Sequence, residues 1–216
     1  NGVESQTLRL LDVCRARNTP ILTFINKMDR EVRNPLDLID EIERALGMDV
    51  IPLTWPIGMG KQFRGVFDLQ NQCVRVFQPG ADRIDTEPEV INNLDNQQIV
   101  TRFGNEFLEA KQEIDLISGV SPQFNQSKFL SGEQTPVFFG FAINNFGVRE
   151  VLDALINLAP PPGPRAALQR NVSPEEKKFS GVVFKIQANM NPAHRDRIAF
   201  IRICSGEFRR GMMLKV

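Results

Sequence analysis

Two short runs of continuous apolar residues restrict most strongly what this chain can fold into. The first covers residues 21–25 and the second residues 136–140, and each is followed by a loop and then by a helical pattern. Continuous apolar runs of this length are typical of parallel strands buried on both faces. Because helix, strand, loop and helix follow one another as in doubly wound domains, we expect an α/β fold.

Three helices flank these runs and are predicted from apolar residues at helical spacing. The first covers residues 3–17. The second begins after Asn34, a suitable N-cap, with Pro35 in the first turn, and it ends at Gly47. The third follows the second run. The apolar positions are Val3, Thr7, Leu10, Leu11 and Cys14, then Leu36, Ile39, Ile42 and Leu46, then Val148, Val151, Leu152, Leu155 and Leu158.

The stretch between the two runs has a pattern of its own. Residues 63–69 and 73–78 are β-like and are separated by three polar residues, which predicts a hairpin. Residues 87–131 are mostly helical in pattern. Their shared apolar face consists of Phe103, Phe107, Ala110, Ile114 and Ile117. We expect Trp55 and most of the sixteen Phe residues to lie in the core rather than to stack on bases.

A proline-rich segment marks the clearest boundary in the chain. Residues 159–164 contain four prolines and one glycine, which predicts a stiff, extended linker. We therefore expect one domain over residues 1–159, a linker over 160–178 and a β domain over 179–216. In the last part, residues 181–188 and 198–204 alternate as strands do, and residues 205–211 predict a turn and a return strand.

Composition excludes several classes of site. Cys14, Cys73 and Cys204 are far apart and lack metal-ligand spacing, so reduced thiols of a cytoplasmic protein are expected. His194 is the only histidine, which argues against histidine-based metal sites and catalytic triads. No apolar run reaches the roughly 18 residues that a transmembrane helix needs. The chain opens on Asn1, which favours an excerpt of a longer protein.

Charge is distributed unevenly although the formal net charge is zero. Residues 1–164 have an excess of Asp and Glu, and residues 165–216 have an excess of Lys and Arg. A basic segment on an acidic body suits contact with a polyanion, and simple surface variation explains the asymmetry equally well. Around His194, Arg195 and Arg197, contact with RNA phosphates is slightly favoured over a solvated loop.

The polar loop after the first run has the residue types that read a guanine base. It consists of Asn26, Lys27, Met28 and Asp29. The carboxylate of Asp29 offers two acceptors for the N1–H and 2-amino donors of guanine, which adenine lacks. Asn26 can donate to N7 and tie the loop to its neighbours, and the Lys27 stem can cover the face of the base. The alternative is a polar turn with Asp29 as a solvated charge.

The loop after the second run is expected to complete this site. It covers residues 140–147, and the main-chain N–H groups around Phe141, Ala142 and Ile143 can reach the guanine carbonyl. The small side chain of Ala142 would allow the base to approach closely. The predicted site residues are thus Asn26, Lys27, Asp29, Phe141, Ala142 and Ile143, with no catalytic residue and no metal ligand.

Several segments, in order, resemble the translational GTPases, and most closely the bacterial class II peptide chain release factors. These segments cover residues 19–30, 53–61, 63–66, 135–140, 145–148 and 179–202. Elongation factor G is similar in plan and fits them less well. The resemblance implies the C-terminal part of a P-loop-type GTPase domain with an α+β insertion at about 48–133, followed by the start of an all-β translation-factor barrel. In such GTPases the second loop usually carries Ser-Ala or Thr-Ala, from which Phe141 departs.

The resemblance also implies a function for the intact protein. It would bind GTP and GDP, hydrolyse GTP on the ribosome, contact ribosomal RNA and proteins, and promote the departure of class I release factors in the cytoplasm. Mg²⁺ would be bound by ligands outside this chain. Two alternatives remain: a non-catalytic ribosome-binding module, and a translocase or ribosomal-protection GTPase similar to elongation factor G.

The parts that handle phosphate are not found in the sequence. Residues 58–61, Gly-Met-Gly-Lys, are the nearest candidate, but they lack the spacing of a phosphate loop and predict a turn. We therefore expect that this chain alone does not hydrolyse GTP.

Overall fold

The computed structural model describes residues 2–31, 33–78, 89–92, 97–188 and 197–214. The chain divides into two compact units, Asn1–Ala159 and Pro160–Val216. The first unit contains helices α1 Ser5–Ala16, α2 Pro35–Leu46, α3 Gln97–Phe103, α4 Asn105–Val120, α5 Gln126–Leu130 and α6 Val148–Leu158, and strands β1 Thr23–Ile25, β2 Asp49–Pro52, β3 Thr54–Ile57, β4 Gly65–Asp68, β5 Cys73–Val76, β6 Val90–Ile91 and β7 Gln134–Phe139. The second contains β8 Arg165–Ala166, β9 Asn171–Val172, β10 Ser180–Ala188 and β11 Arg197–Ser205.

A parallel three-stranded sheet organises the first unit, with strand order β1-β7-β2. Phe24 lies opposite Phe138 in one pair, and Ile51 lies opposite Pro136 in the other. The central strand β7 is buried along its whole length, as its apolar run predicts. The α/β prediction is confirmed, and so is the prediction that the two apolar runs form parallel strands.

The strand β1 is less buried than predicted. Its three residues are only partly buried because β1 lies at the edge of the described sheet, with β7 on one side only. Beside it, α1, β1 and α2 enclose an open groove of about 710 Å³. Leu11 is the only buried residue of α1, and Leu10 is 56% exposed, so the predicted apolar stripe of this helix is mostly uncovered. Full burial of residues 21–25 was therefore a wrong prediction.

The helix α2 forms as its sequence predicts. The side chain of Asn34 accepts a hydrogen bond from the N–H of Leu36 at 2.8 Å, and Pro35 occupies the first turn. Gly47 ends the helix with φ of 59°, a left-handed conformation that glycine adopts without the steric cost of a Cβ. The buried face includes Ile39, Ile42 and Leu46.

The second sheet is antiparallel, has strand order β3-β4-β5-β6, and joins the parallel sheet through the turn between β2 and β3. The N–H of Leu53 donates to Val137 O at 2.8 Å, and the hydroxyl of Thr54 accepts from the N–H of Phe139 at 2.9 Å. The predicted β4–β5 hairpin is confirmed. The strands β2 and β3 were not predicted, because Pro52 and Pro56 interrupt their pattern. Residues 49–52, which fall inside the predicted insertion, thus form a strand of the parallel sheet.

Helices α3, α4 and α5 lie within residues 87–131, which were predicted to be mostly helical. Helix α4 packs on β3, α3 packs on α4, and α5 packs on β7. Phe103, Phe107 and Ala110 of the predicted face are buried. Trp55 is fully buried on β3, and its indole N–H donates to Glu113 Oε2 of α4 at 2.9 Å. Burial of an indole is favourable when its N–H has a partner of this kind. The expectation that Trp55 belongs to the core is confirmed.

The second unit consists of two hairpins. The two predicted strands form as β10 and β11, and they pair antiparallel. Strands β8 and β9 form a short hairpin within residues 160–178, which were predicted to be a linker. The return strand predicted within 205–211 is wrong, because the described residues 206–214 contain no strand. Gly206 instead lies against the backbone of Lys178, and Phe208 packs on Phe179 with ring centroids 5.4 Å apart. His194 and Arg195 lie outside the described residues.

None of the helices in the described part of the chain has the length and apolar character needed to span a bilayer. Cys14, Cys73 and Cys204 are free thiols, in agreement with the sequence. Among the described residues, no group of three or more His, Cys, Asp and Glu side chains could hold a metal ion.

Replacing Asn34 by alanine tests the cap of α2. We expect Asn34→Ala to lower the free energy of unfolding by about 1 kcal/mol, because the N–H of Leu36 loses its acceptor. Chemical denaturation measures the change. The control is Asn157→Ala on the exposed side of α6, which should leave stability unchanged or raise it slightly. Equal losses in both variants would contradict the assigned role of the cap.

Candidate nucleotide-base site

The two loops that the sequence singles out lie at the same edge of the parallel sheet. Strands β1 and β7 are neighbours, so the loops that follow their carboxyl ends are adjacent. The N–H of Gly140 donates to Ile25 O at 3.1 Å, and the N–H of Met28 donates to Gly140 O at 3.1 Å. These two bonds continue the pairing of the strands into the loops. A ligand is expected at this edge, since open α/β sheets bind ligands beyond the carboxyl ends of their strands.

Asn26 connects the two loops through its side chain. Its Oδ1 accepts hydrogen bonds from its neighbour Lys27 N–H at 2.8 Å and from Ala142 N–H at 2.9 Å. The second bond joins residues that are 116 positions apart in the chain. The amide of Asn26 therefore fixes the distance between the first loop and the second.

Met28 anchors the first loop to the core. Its side chain is 0% exposed, whereas Asn26, Lys27 and Asp29 are exposed. Lys27 adopts φ of 71°, an unfavourable conformation for a residue with a Cβ. Burial of Met28 and the hydrogen bond from Arg30 N–H to Lys27 O, 3.1 Å long, hold the turn in this shape. The polar side chains on either side of Met28 consequently face solvent.

The second loop is a closed turn whose tip is exposed. Phe141 and Phe146 exchange two main-chain hydrogen bonds of 3.0 and 3.2 Å, and a 3-10 helix, Ala142–Asn144, lies between them. Gly140 precedes this turn because a Cβ there would lie 2.3 Å from Phe146 O. Ile143, at the tip, is 83% exposed. Its N–H has no acceptor among the described residues, whereas the N–H of Ala142 is already bonded to Asn26.

The side chain of Phe141 points into the core instead of toward the open edge. It is almost completely buried and contacts Phe63, Phe77 and Phe146. The hydroxyl that a Ser or Thr would supply at this position is thus replaced by packing. Of the predicted site residues, Asn26, Lys27, Asp29, Ala142 and Ile143 lie at the open edge, and Phe141 contributes its main chain and a core side chain.

An ion pair links the β4–β5 hairpin to the helix that follows the second loop. Arg75 lies 3.2 Å from Asp68 and 3.2 Å from Glu150 in the first turn of α6. Burial opposes the charge of Arg75, but Glu150 and Asp68 outweigh it and raise the pKa of the guanidinium. Burial, with a further contribution from Asp68, also raises the pKa of the Cys73 thiol. Cys73 is therefore a poor nucleophile.

Residues 58–61 do not form a phosphate-binding loop. A bend at Gly58 leads into a 3-10 helix, Gly60–Gln62, and then toward β4, whereas a phosphate loop connects a strand to the start of an α-helix. The predicted turn is confirmed. The same segment contacts the first loop, because the N–H of Gly60 donates to Met28 O at 2.9 Å. Sequence analysis missed Met28 and Gly60 as supports of the site, although an apolar residue amid three polar ones was a signal for Met28.

Comparison with known proteins shows the class of domain to which most of the chain belongs. The family model of the elongation factor Tu GTP binding domain matches residues 1–161, and that of elongation factor G domain 2 matches residues 178–216. Because the first match covers most of the chain, the chain belongs to the family of elongation factor Tu-type GTP-binding domains. The two matches confirm the predicted fold class, a GTP-binding domain followed by the start of a β domain.

Two relatives of high identity are both named peptide chain release factor 3. The chain is 70% identical to the peptide chain release factor 3 of Nitrosomonas europaea and 64% identical to that of Bordetella petrii, over 100% of its length in both comparisons. The chain spans 41% and 40% of those relatives. The resemblance to translational GTPases, and to release factors among them, is confirmed.

Removing the Asn26 side chain tests the connection between the loops. We expect Asn26→Ala to accelerate amide hydrogen exchange in residues 141–146 and to lower the unfolding free energy by about 1 kcal/mol, because Ala142 N–H loses its acceptor. Hydrogen exchange followed by mass spectrometry measures the first effect. Asn26→Asp keeps an acceptor oxygen and should exchange more slowly than Asn26→Ala. Unchanged exchange in Asn26→Ala would show that the bond does not restrain the loop.

Proposed function

We propose that this chain supplies the guanine-reading half of the nucleotide site in a GTPase of translation termination. The observation that carries the proposal is the hydrogen bond from Ala142 N–H to Asn26 Oδ1. It holds an exposed acidic side chain, Asp29, and an exposed main-chain donor, Ile143 N–H, at one edge of the sheet. Guanine presents donors on one side and a carbonyl acceptor beside them, which is the complement of this arrangement.

Each exposed group has a role in this proposal. The carboxylate of Asp29 accepts from N1–H and from the 2-amino group of guanine, and Ile143 N–H donates to the guanine carbonyl. Asn26 donates from its amide nitrogen to N7 while its oxygen holds Ala142. The Lys27 stem covers one face of the base, with its ammonium toward the ribose and phosphate side. Phe141 and Ala142 shape the turn and let the base approach the main chain.

Hydrolysis belongs to the intact protein in this proposal. The relatives are more than twice as long as the chain, and the GTP-binding domain family of the chain motivates GTP and GDP as ligands. Phosphate binding, Mg²⁺ coordination and the positioning of water would come from segments outside these residues. We therefore expect the isolated chain not to hydrolyse GTP.

The partners follow from the names of the relatives. Release factors act on ribosomes, so we propose that the intact protein binds the ribosome in the cytoplasm and promotes release and recycling of class I release factors. The basic second unit supports contact with RNA phosphates, with the exposed Arg197 at the start of β11 as one candidate. A role like that of elongation factor G is less well supported, because the curated relatives at 62–70% identity are named release factors.

A non-catalytic ribosome-binding module is the remaining alternative. The departure of Phe141 from Ser or Thr and the missing phosphate loop were its two supports in the sequence. The buried position of that side chain weakens the first support, because the turn and its main-chain N–H groups remain in place without a hydroxyl.

Substituting Asp29 tests base recognition directly in the intact protein. Asp29→Asn replaces one acceptor by a donor, so we expect GDP affinity to fall about tenfold or more and xanthosine diphosphate to become the better ligand. Competition against a fluorescent nucleotide measures both affinities. Asp40→Asn, an exposed position on α2, is the matched control and should retain the preference for GDP. Retained guanine preference in Asp29→Asn would overturn the proposal.

A further inference from the structure

Two aromatic rings at the ends of the hairpin β4–β5 contact two aromatic rings of the second base loop, which covers residues 140–147 (the first base loop covers residues 26–29). Phe63 precedes β4 and Phe77 follows β5, and the N–H of Phe77 donates to Arg64 O at 2.7 Å, which keeps both rings at the open end of the hairpin. The ring of Phe77 lies 4.7 Å from that of Phe141 and 5.5 Å from that of Phe146. The ring of Phe63 lies 5.5 Å from each of them.

These contacts are made at the base of the loop and not at its tip. Phe141 and Phe146 are the two residues whose main chains pair to close the turn. The edge-to-face geometry of Phe77 on Phe141 is the favourable arrangement for aromatic pairs. A movement of Phe77 or Phe63 would therefore tilt the whole turn that presents Ala142 and Ile143.

The same segment also contacts the first base loop. Gly60 lies three residues before Phe63 and donates its N–H to Met28 O at 2.9 Å, between Lys27 and Asp29. The fully buried side chain of Met28 belongs to the same hydrophobic core as Phe63 and Phe141. Arg75 of the hairpin adds a third connection through its ion pair with Glu150 in α6. The segment from Gly60 to Phe77 thus touches both loops and the helix behind them.

We propose that Phe63 and Phe77 are positioning residues for the nucleotide base, and that the β4–β5 hairpin controls how fast guanine nucleotide leaves the site. The inference rests on the proposed function of the two loops. Both rings contact Phe141 and Phe146, so both act through these two residues. Main-chain donors bind a base strongly only if they are already held in position, and these rings supply that restraint.

The proposal also explains why an aromatic residue occupies position 141. A hydroxyl there would restrain the turn by local hydrogen bonds, whereas Phe141 restrains it by packing against the hairpin. The restraint then depends on residues more than 60 positions away, so that displacing the hairpin would loosen the base site without any change in the loops themselves. The hairpin is therefore a route by which contact elsewhere on this unit changes nucleotide release.

Nucleotide dissociation from the intact protein tests the proposal. Protein loaded with a fluorescent GDP analogue is mixed with excess unlabelled GDP, and the rate of signal loss gives the dissociation rate. We expect Phe77→Leu to release the analogue about tenfold faster than the wild type, because closely packed neighbours are energetically coupled. Phe77→Met, which refills the site with an adaptable side chain, should lie between the two.

The matched control is Phe129→Leu. Phe129 is deeply buried, whereas Phe77 is partly buried, and Phe129 packs on Phe124 at 6.1 Å rather than on either base loop. We expect its thermal midpoint to fall at least as far as that of Phe77→Leu, while its dissociation rate stays within about twofold of the wild type. A lower folded fraction does not alter the dissociation rate of the molecules that remain folded, so the rate separates positioning from stability.

A second readout does not depend on nucleotide. In nucleotide-free protein, Phe77→Leu and the milder Phe77→Met should accelerate amide exchange in residues 141–146 more than Phe129→Leu does. Equal dissociation rates in Phe77→Leu and Phe129→Leu would overturn the inference and leave the proposed function standing. Equal exchange of the turn in the two variants would have the same consequence. If the wild type bound ADP as well as GDP, the proposed function would fail and the inference with it.

Discussion

The hydrogen bond between the Asn26 side chain and Ala142 N–H is the contact on which the candidate site depends. It becomes possible only because β1 and β7 pair in parallel, which brings two loops separated by more than a hundred residues to one edge. The bond uses the side-chain oxygen and leaves the amide nitrogen for a ligand. One residue thereby joins the two halves of the base site and still faces solvent.

The residues of the two loops divide into those that face the ligand edge and those that face the core. Met28 and Phe141 are buried, whereas Lys27, Asp29 and Ala142 beside them are exposed. Burying these two side chains stabilises turns whose main chains are otherwise unfavourable, as at Lys27 with its positive φ. In the proposed site, recognition and stability therefore depend on different residues of each loop. A substitution at either kind of position would disturb the site for a different physical reason.

The segment between β1 and β7 is built into the domain rather than attached to its surface. Its strand β2 extends the parallel sheet, and Thr54 of β3 accepts a hydrogen bond from the last residue of β7. The β4–β5 hairpin then places aromatic rings under the second loop and Gly60 beside the first. The long separation between the two base loops in sequence thus corresponds to a support structure that contacts both of them.

The sequence by itself determined the features that depend on local chemistry: the cap and stop of α2 at Asn34 and Gly47, the β4–β5 hairpin and the polar residues of the first loop. These follow from periodicity and turn chemistry within a few residues. Only the tertiary structure decided that β1 is half-buried, that β2 and β3 form despite their prolines, and that Phe141 points inward. Each of these depends on which distant segment lies alongside, and sheet neighbours and core contacts are selected by packing across the whole unit, which no local pattern encodes.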